Sequence, residues 1–314
     1  MAVFTRLDQE DFKAILHNYD IGDFVSSKEI SEGVENTNYF LETSNGKYVL
    51  TIFEKRVNKR DLPFFLGLMD FLSEHKFPSP EIHRCDESLT FNYKAKTGII
   101  TSFLSGTIAE KTDITELTIQ KIGEKLANIH NLTKNFEKTR DNEYTLMGIT
   151  KLFQNLKIKR AIPEEQENLV KERIQLLQSR DFSEMKKGII HADFFPDNVF
   201  LQNDSVTGVI DFYFACHDYL AYDIATAINA WCFDSNNVFQ QGYADQLLAG
   251  YQKIRRLSTR ERYYLKDFCS LTAVRFYLTR LHDKTFQDKG ALVTIKDPDE
   301  YYKRIEFFNQ FNGF

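Results

Sequence analysis

The amino-acid sequence predicts an α+β chain of two lobes: an antiparallel sheet with one helix, then a mostly helical lobe carrying a short hairpin. Three observations predict it. Residues 1–104 hold several short stretches of alternating apolar and polar side chains, and one helical stretch among them. Beyond them the apolar residues recur mostly at helical spacing. Between Gly188 and Phe212, short apolar runs are interrupted by His191, Asp193, Asn198 and Asp211. Ser105-Gly106 is the expected hinge, giving an N-terminal nucleotide-binding lobe over 1–104 and a C-terminal catalytic and substrate-binding lobe over 105–314.

Each element has its own signal. After Asp8, with Asp11 in the first turn, Phe12, Ile15, Leu16 and Tyr19 share one helical face. Strands are expected over 26–30, 38–42 and 47–53, with Ser44-Asn45-Gly46 turning the last two into a hairpin. From Asp61 the period changes, and Leu62, Phe65, Leu66, Met69 and Leu72 line a helix that ends before Phe77-Pro78-Ser79-Pro80. Strands at 91–94 and 98–104 complete the sheet. Asp113-Ile114-Thr115-Glu116 reads as a capping box for a helix whose Ile119, Ile122, Leu126 and Ile129 share a face. Pro163 opens another, to about Ser179, and further helices are expected near Asp223, over 243–256 and over 260–282.

Composition narrows the function. At 314 residues, 42% hydrophobic and 27% charged, the chain can bury a core, and 14 Gly with 6 Pro exclude a collagen-like or low-complexity chain. Net charge is −5 with both signs interspersed, so neither nucleic acid nor an anionic membrane is an expected partner. Arg6, Asp8, Glu10 and Asp11 interrupt any signal-peptide core, and no apolar run approaches the ~18 residues that span a bilayer. Cys85, Cys216, Cys232 and Cys269 have no paired spacing, which predicts reduced thiols in the cytoplasm.

The chemistry concentrates in GIIHADFFPDNVFLQNDSVTGVIDFYFACHDYLAYDIA, from Gly188. If Val199–Gln202 and the run at 207–210 form a hairpin with Asp204-Ser205 at its tip, Asn198 faces Asp211. An amide and a carboxylate so opposed suit one hard cation, Mg²⁺; Zn²⁺ would want His or Cys there. Asp193, five residues before Asn198 and beside Pro196, is the natural general base for a hydroxyl. That set is what phosphoryl transfer to an alcohol requires. The spacing Asp-x-x-x-x-Asn, apolar strand, Asp-Phe matches the kinase catalytic-loop and metal-binding pattern, with His191 at its histidine. Plainer roles stand beside these: Asp193 as a turn residue, Asn198 and Asp211 as strand caps, His191 as a structural hydrogen-bonding group, and Asp223 as an N-cap or a strut to the loop. The polar stretch Glu32-Gly33-Val34-Glu35-Asn36-Thr37-Asn38 offers backbone donors to phosphates, or is an ordinary hairpin.

These residues resemble the homoserine kinases that share a protein-kinase-like fold with aminoglycoside phosphotransferases and choline kinases. The resemblance extends over EGVENTNY from Glu32, LTIFEKRV from Leu50, DLPFFLGLMDFL from Asp61, DFFPDNVF from Asp193, VIDFYFACHDYLAYDIA from Val209, NAWCF from Asn229 and VRFYLTRLHD from Val274. It implies ATP and Mg²⁺ as cofactors and L-homoserine as the small-molecule substrate, phosphorylated for threonine biosynthesis. It implies Asp193 as base with His191 beside it, and Asn198 and Asp211 on Mg²⁺. Gly33, Asn36, Asn38, Thr51 and Lys55 are the implied nucleotide contacts. Two departures stand out: Ala192 replaces the usual Gly between the His and the Asp, and Thr51 stands where many kinase-like folds place a phosphate-binding lysine. Lys55 is the nearest basic residue on that strand face.

Homoserine also presents an ammonium and a carboxylate. Arg275 and Arg280 are candidates for the carboxylate, with a surface or interlobe ion pair as the favoured reading of each, and His217 and Asp218 for the acceptor side. Another alcohol acceptor, such as choline or an aminoglycoside, or a catalytically silent nucleotide-binding module, is the competing reading.

Overall fold

A capping box starts the first helix of the computed structural model, which describes residues 4–30, 36–54, 58–111, 114–286 and 296–314. Asp8 accepts from the Asp11 N–H at 2.9 Å while Asp11 accepts from the Asp8 N–H at 3.0 Å, opening α1 (Gln9–Leu16) as the sequence predicts. β1 (Phe24–Ile30), β2 (Thr37–Thr43) and β3 (Gly46–Ile52) follow, pairing antiparallel, with Asn38 opposite Thr51. After α2 (Leu62–Glu74) come β4 (Ile82–His83), β5 (Phe91–Tyr93) and β6 (Lys96–Ser102). The sheet runs β1-β2-β3-β6-β4, with β5 also on β6.

The alternation along β2 has a visible cause. Thr37, Tyr39, Leu41 and Thr43 are buried while the residues between them are not, and Tyr39 and Leu41 join Phe12, Leu16, Leu50 and Ile100 in one core. Phe12 stacks on Phe24 and meets Tyr39 edge-on at 5.2 Å, and burying such a ring contributes about 1.5–3 kcal/mol. The chain divides into two compact units, and Gly208–Tyr213 is counted with the sheet unit that ends at Gly106. Tyr213 there sets its ring against Phe53 and Phe65.

The second unit contains β7 (Thr107–Ile108), α3 (Glu116–Leu132), α4 (Leu146–Ile158), α5 (Glu164–Gln178) and β8 (Lys187–Ile190). Then come β9 (Val199–Gln202), β10 (Ser205–Val209), β11 (Cys216–Tyr219), α6 (Leu220–Trp231), α7 (Gln241–Ile254), α8 (Thr259–Phe286) and α9 (Pro298–Gln310). The strands form two small sheets, β10-β9-β7, in which β10 carries the chain from this unit into Gly208–Tyr213, and β11-β8. α5 begins after Pro163 and is capped at Ser179, as expected.

Three local expectations are corrected. α3 is capped by Thr115 with Thr118 at the third position, not by a box closing on Glu116; Asp113 lies outside the described residues. The hairpin tip is Asn203-Asp204, both at positive φ (49° and 60°), the paired left-handed conformation of a type I′ turn. Moving the tip by one residue moves every partner of β9 by two, so the count no longer sets Asn198 opposite Asp211. α6 starts at Leu220, which puts Asp223 inside its first turn rather than at its cap. Helices α4 and α9 have no counterpart among the predicted elements.

α3 and α7 touch backbone to backbone. A Cβ on Gly123 would lie 2.1 Å from the Leu247 carbonyl oxygen, and one on Gly250 would lie 2.0 Å from that of Gln120. Helix propensity alone would reward Gly250→Ala by about 1 kcal/mol. The clash is with rigid carbonyls, so overpacking, typically ~1–3 kcal/mol, prevails. Gly250→Ala is expected to lower the urea midpoint; a raised midpoint would count against so close a crossing.

Candidate active site

The connection from β8 to β9 carries His191, Asp193 and Asn198, and hydrogen bonds from several elements hold its backbone. Asp223 of α6 accepts the N–H of His191 at 2.8 Å and of Ala192 at 2.9 Å. The Asp193 N–H donates to His191 Nδ1 at 3.3 Å. Asn198 Nδ2 donates to the Asp193 carbonyl at 2.9 Å and to its Oδ2 at 3.1 Å, while the Phe195 N–H donates to the same carbonyl. The indole N–H of Trp231 donates to the Phe194 carbonyl at 2.7 Å. Pro196 begins the single 3₁₀ turn that delivers Asn198 to the start of β9. Ala192 sits at φ +62°, a conformation costing a non-glycine residue on the order of 1–3 kcal/mol and kept only where surroundings enforce it.

Asp223 is itself held. It is fully buried and accepts from His130 Nε2 at 3.0 Å; His130 Nδ1 meets the Tyr251 hydroxyl at 2.7 Å, and Arg255 Nη1 donates to that hydroxyl at 3.1 Å. With the carboxylate as acceptor, Nε2 carries the proton, and in the neutral ring the Tyr251 hydroxyl donates to Nδ1. Burial pushes the Asp223 carboxyl up, but the His130 hydrogen bond and the His191 N–H outweigh it and hold it below the ordinary carboxylate range. Asp193 goes the other way: desolvation raises it, only partly offset by the charge of Arg275 and by His191.

The other predicted residues fall in two places. Asn38 and Thr51 meet across β2 and β3, where the Thr51 hydroxyl donates to Asn38 Oδ1 at 2.8 Å, and Asn36 Oδ1 accepts the Glu54 N–H at 3.4 Å. Gly33 and Lys55 lie outside the described residues. Asp211 follows β10 at φ +63°, half-buried, and is counted with the sheet unit, whereas Asp193 and Asn198 belong to the other. Asp218 is buried and accepts from Asn142 at 2.7 Å. Arg280 is paired with Glu300 at 2.5 Å, and Arg275 is buried on α8.

His130, Trp231 and Tyr251 were not singled out by the sequence. Only His130 leaves a signal there: it follows Leu126 by four residues on the apolar face of α3, and a buried imidazole needs hydrogen-bond partners. Among the described residues no cluster of three or more His, Cys, Asp or Glu side chains could hold a metal ion, and no described helix is long and apolar enough to cross a membrane.

Residues 26–257 match the model of the phosphotransferase enzyme family, most of the chain. The chain belongs to that family. The phosphotransferase is 40% identical over 312 residues to the homoserine kinase of Sinorhizobium fredii, covering 98% of this chain and 94% of that one. It is 41% identical over 309 residues to the homoserine kinase of Phenylobacterium zucineum, covering 97% and 94%. Among solved structures it is similar to amicoumacin kinase in complex with AMP-PNP, Ca²⁺ and Ami, with a TM-score of 0.70 at 16% identity over 97% of this chain and 93% of that one. Choline kinase from Cryptosporidium parvum gives 0.68 at 16% identity, over 96% and 95%. These neighbours establish the kinase-like fold of the phosphotransferase.

Proposed function

We propose that the protein is an ATP-dependent homoserine kinase, transferring the γ-phosphoryl group of ATP to the hydroxyl of L-homoserine to give O-phospho-L-homoserine, a step toward threonine. The observation that carries this reading is identity of about 40% to homoserine kinases along nearly the whole length of both chains. The geometry around Asp193 suits the reaction. Asn198 occupies Oδ2, and Oδ1 has no partner among the described residues, so it is the oxygen that accepts the hydroxyl proton as the substrate oxygen attacks phosphorus. Nucleophilic oxygen and base must be aligned before transfer, which the hydrogen-bonded loop provides.

Asn198 and Asp211 are the proposed ligands of Mg²⁺. The amide nitrogen of Asn198 is committed to Asp193, so the amide oxygen is the atom presented to a cation; amide and carboxylate oxygens suit a hard ion. When bound, Mg²⁺ would offset phosphate charge. Asn36, Asn38 and Thr51, with Gly33 and Lys55, are proposed on the nucleotide, and His191 as the group that shapes the loop. The cytoplasm is the proposed compartment, in keeping with four free cysteines.

The test is ADP release from the purified protein with ATP, Mg²⁺ and one acceptor at a time: L-homoserine, choline, or an aminoglycoside. Stimulation by homoserine well above the others is expected. Strong stimulation by another alcohol and none by homoserine would overturn the substrate assignment.

A further inference from the structure

We propose that Arg275 is a positioning residue for phosphoryl transfer, fixing the catalytic loop through the carbonyl of Ala192. Its Nη1 donates to that carbonyl at 2.5 Å, from a side chain that is only 3% exposed. The guanidinium lies over three rings, 4.0 Å from the centroid of Phe276, 4.9 Å from Tyr144 and 5.6 Å from Phe214, which fix its plane. A buried cation is costly unless it is paired, and the Nε of Arg275 has no hydrogen-bond partner among the described residues. Among the described residues the acceptor it engages is the carbonyl of the loop's left-handed residue, through a charge-assisted bond.

That placement matters for what comes next in the chain. Ala192 gives its N–H to Asp223 on α6 and receives at its carbonyl from Arg275 on α8, so both of its peptide groups are gripped by different helices. A left-handed alanine persists only where surroundings over-determine it. The torsion about Ala192 sets the direction of Asp193, and a misplacement of about 1 Å at a reacting group is worth about 100-fold in rate. Arg275 thus acts through Ala192 on the aim of Asp193 rather than on substrate.

The inference rests on Asp193 being the base, and the test keeps the two apart. Arg275→Met retains the stem and removes the donor; Arg275→Lys retains a charge and a donor without the planar fork. In the full-length protein, Arg275→Met is expected to lower kcat about 100-fold with KM for ATP and homoserine within about threefold of the parent, and Arg275→Lys about tenfold. Trp231, the chain's one tryptophan, reports the loop without turnover, because its N–H is bonded to the Phe194 carbonyl. Its emission is expected to shift in substrate-free Arg275→Met. A folded Arg275→Met with unmoved Trp231 emission, with kcat within threefold of the parent, or with its loss confined to the homoserine KM would overturn the proposal. If Arg275→Met does not fold, Arg275→Lys decides by the same split: a loss in kcat alone supports positioning, and an unchanged kcat refutes it. A parent protein inactive on homoserine, or an active Asp193→Asn, would instead count against the proposed function, and the Trp231 emission would then tell only whether Arg275 fixes the loop.

Discussion

Asp193→Asn is expected to lower kcat by three to four orders of magnitude, about the upper range for general-base catalysis, while the fold and nucleotide binding persist. Asparagine keeps the shape, and its carbonyl oxygen can still accept from Asn198, as Oδ2 does now. The Asp193 N–H and carbonyl, which hold the loop to His191, Asn198 and Phe195, are backbone groups and are unaffected. What is lost is the acceptor for the hydroxyl proton. Steady-state ADP release with homoserine measures it, and turnover within tenfold of the parent would remove Asp193 from the base role.

Asp223→Asn is expected to cost about 3–5 kcal/mol of stability at pH 7, the usual range when one member of a buried, fully bonded polar set is removed. The carboxylate uses Oδ2 for the His191 N–H and for His130 and Oδ1 for the Ala192 N–H, and an amide can present only one oxygen. Whichever way it turns, an NH₂ group faces a donor. The pH dependence has a definite sign. The folded-state pKa of Asp223 is depressed, so its contribution is fully present above the unfolded value of about 3.9 and is lost as pH falls through the folded one. The difference in urea midpoint between parent and variant should therefore be widest near neutrality and shrink in strong acid. A constant difference down to pH 3 would contradict the hydrogen-bonded carboxylate.

Much of the fold was legible because it is written locally. The Asp8 cap, the Ser44-Asn45 hairpin and the apolar face from Ile119 to Ile129 depend on neighbours three or four residues away. The sequence leaves the hairpin tip open by one residue because Asn203, Asp204 and Ser205 are all turn formers, and only the backbone shows which two take positive φ. α4 leaves a weak helical pattern because Gly148 and Thr150 dilute its propensity, and α9 because aromatic residues crowd it. In the site, Asp193 and Asn198 were readable from a spacing of five because one short turn joins them. Trp231, His130 and Arg275 reach the loop or its support from other helices, 37, 93 and 83 residues from their partners, and nothing in the local sequence announces such meetings.

The Asp204 carboxylate at the hairpin tip accepts from Thr115 at 2.9 Å and Thr118 at 2.6 Å, at the head of α3, while His130 near its tail holds Asp223. α3 thereby works as a tie rod about 25 Å long between two anchorages. Sliding it along its axis would strain both at once. A shift of the rod therefore has to be shared by tip and loop or break one of these bonds.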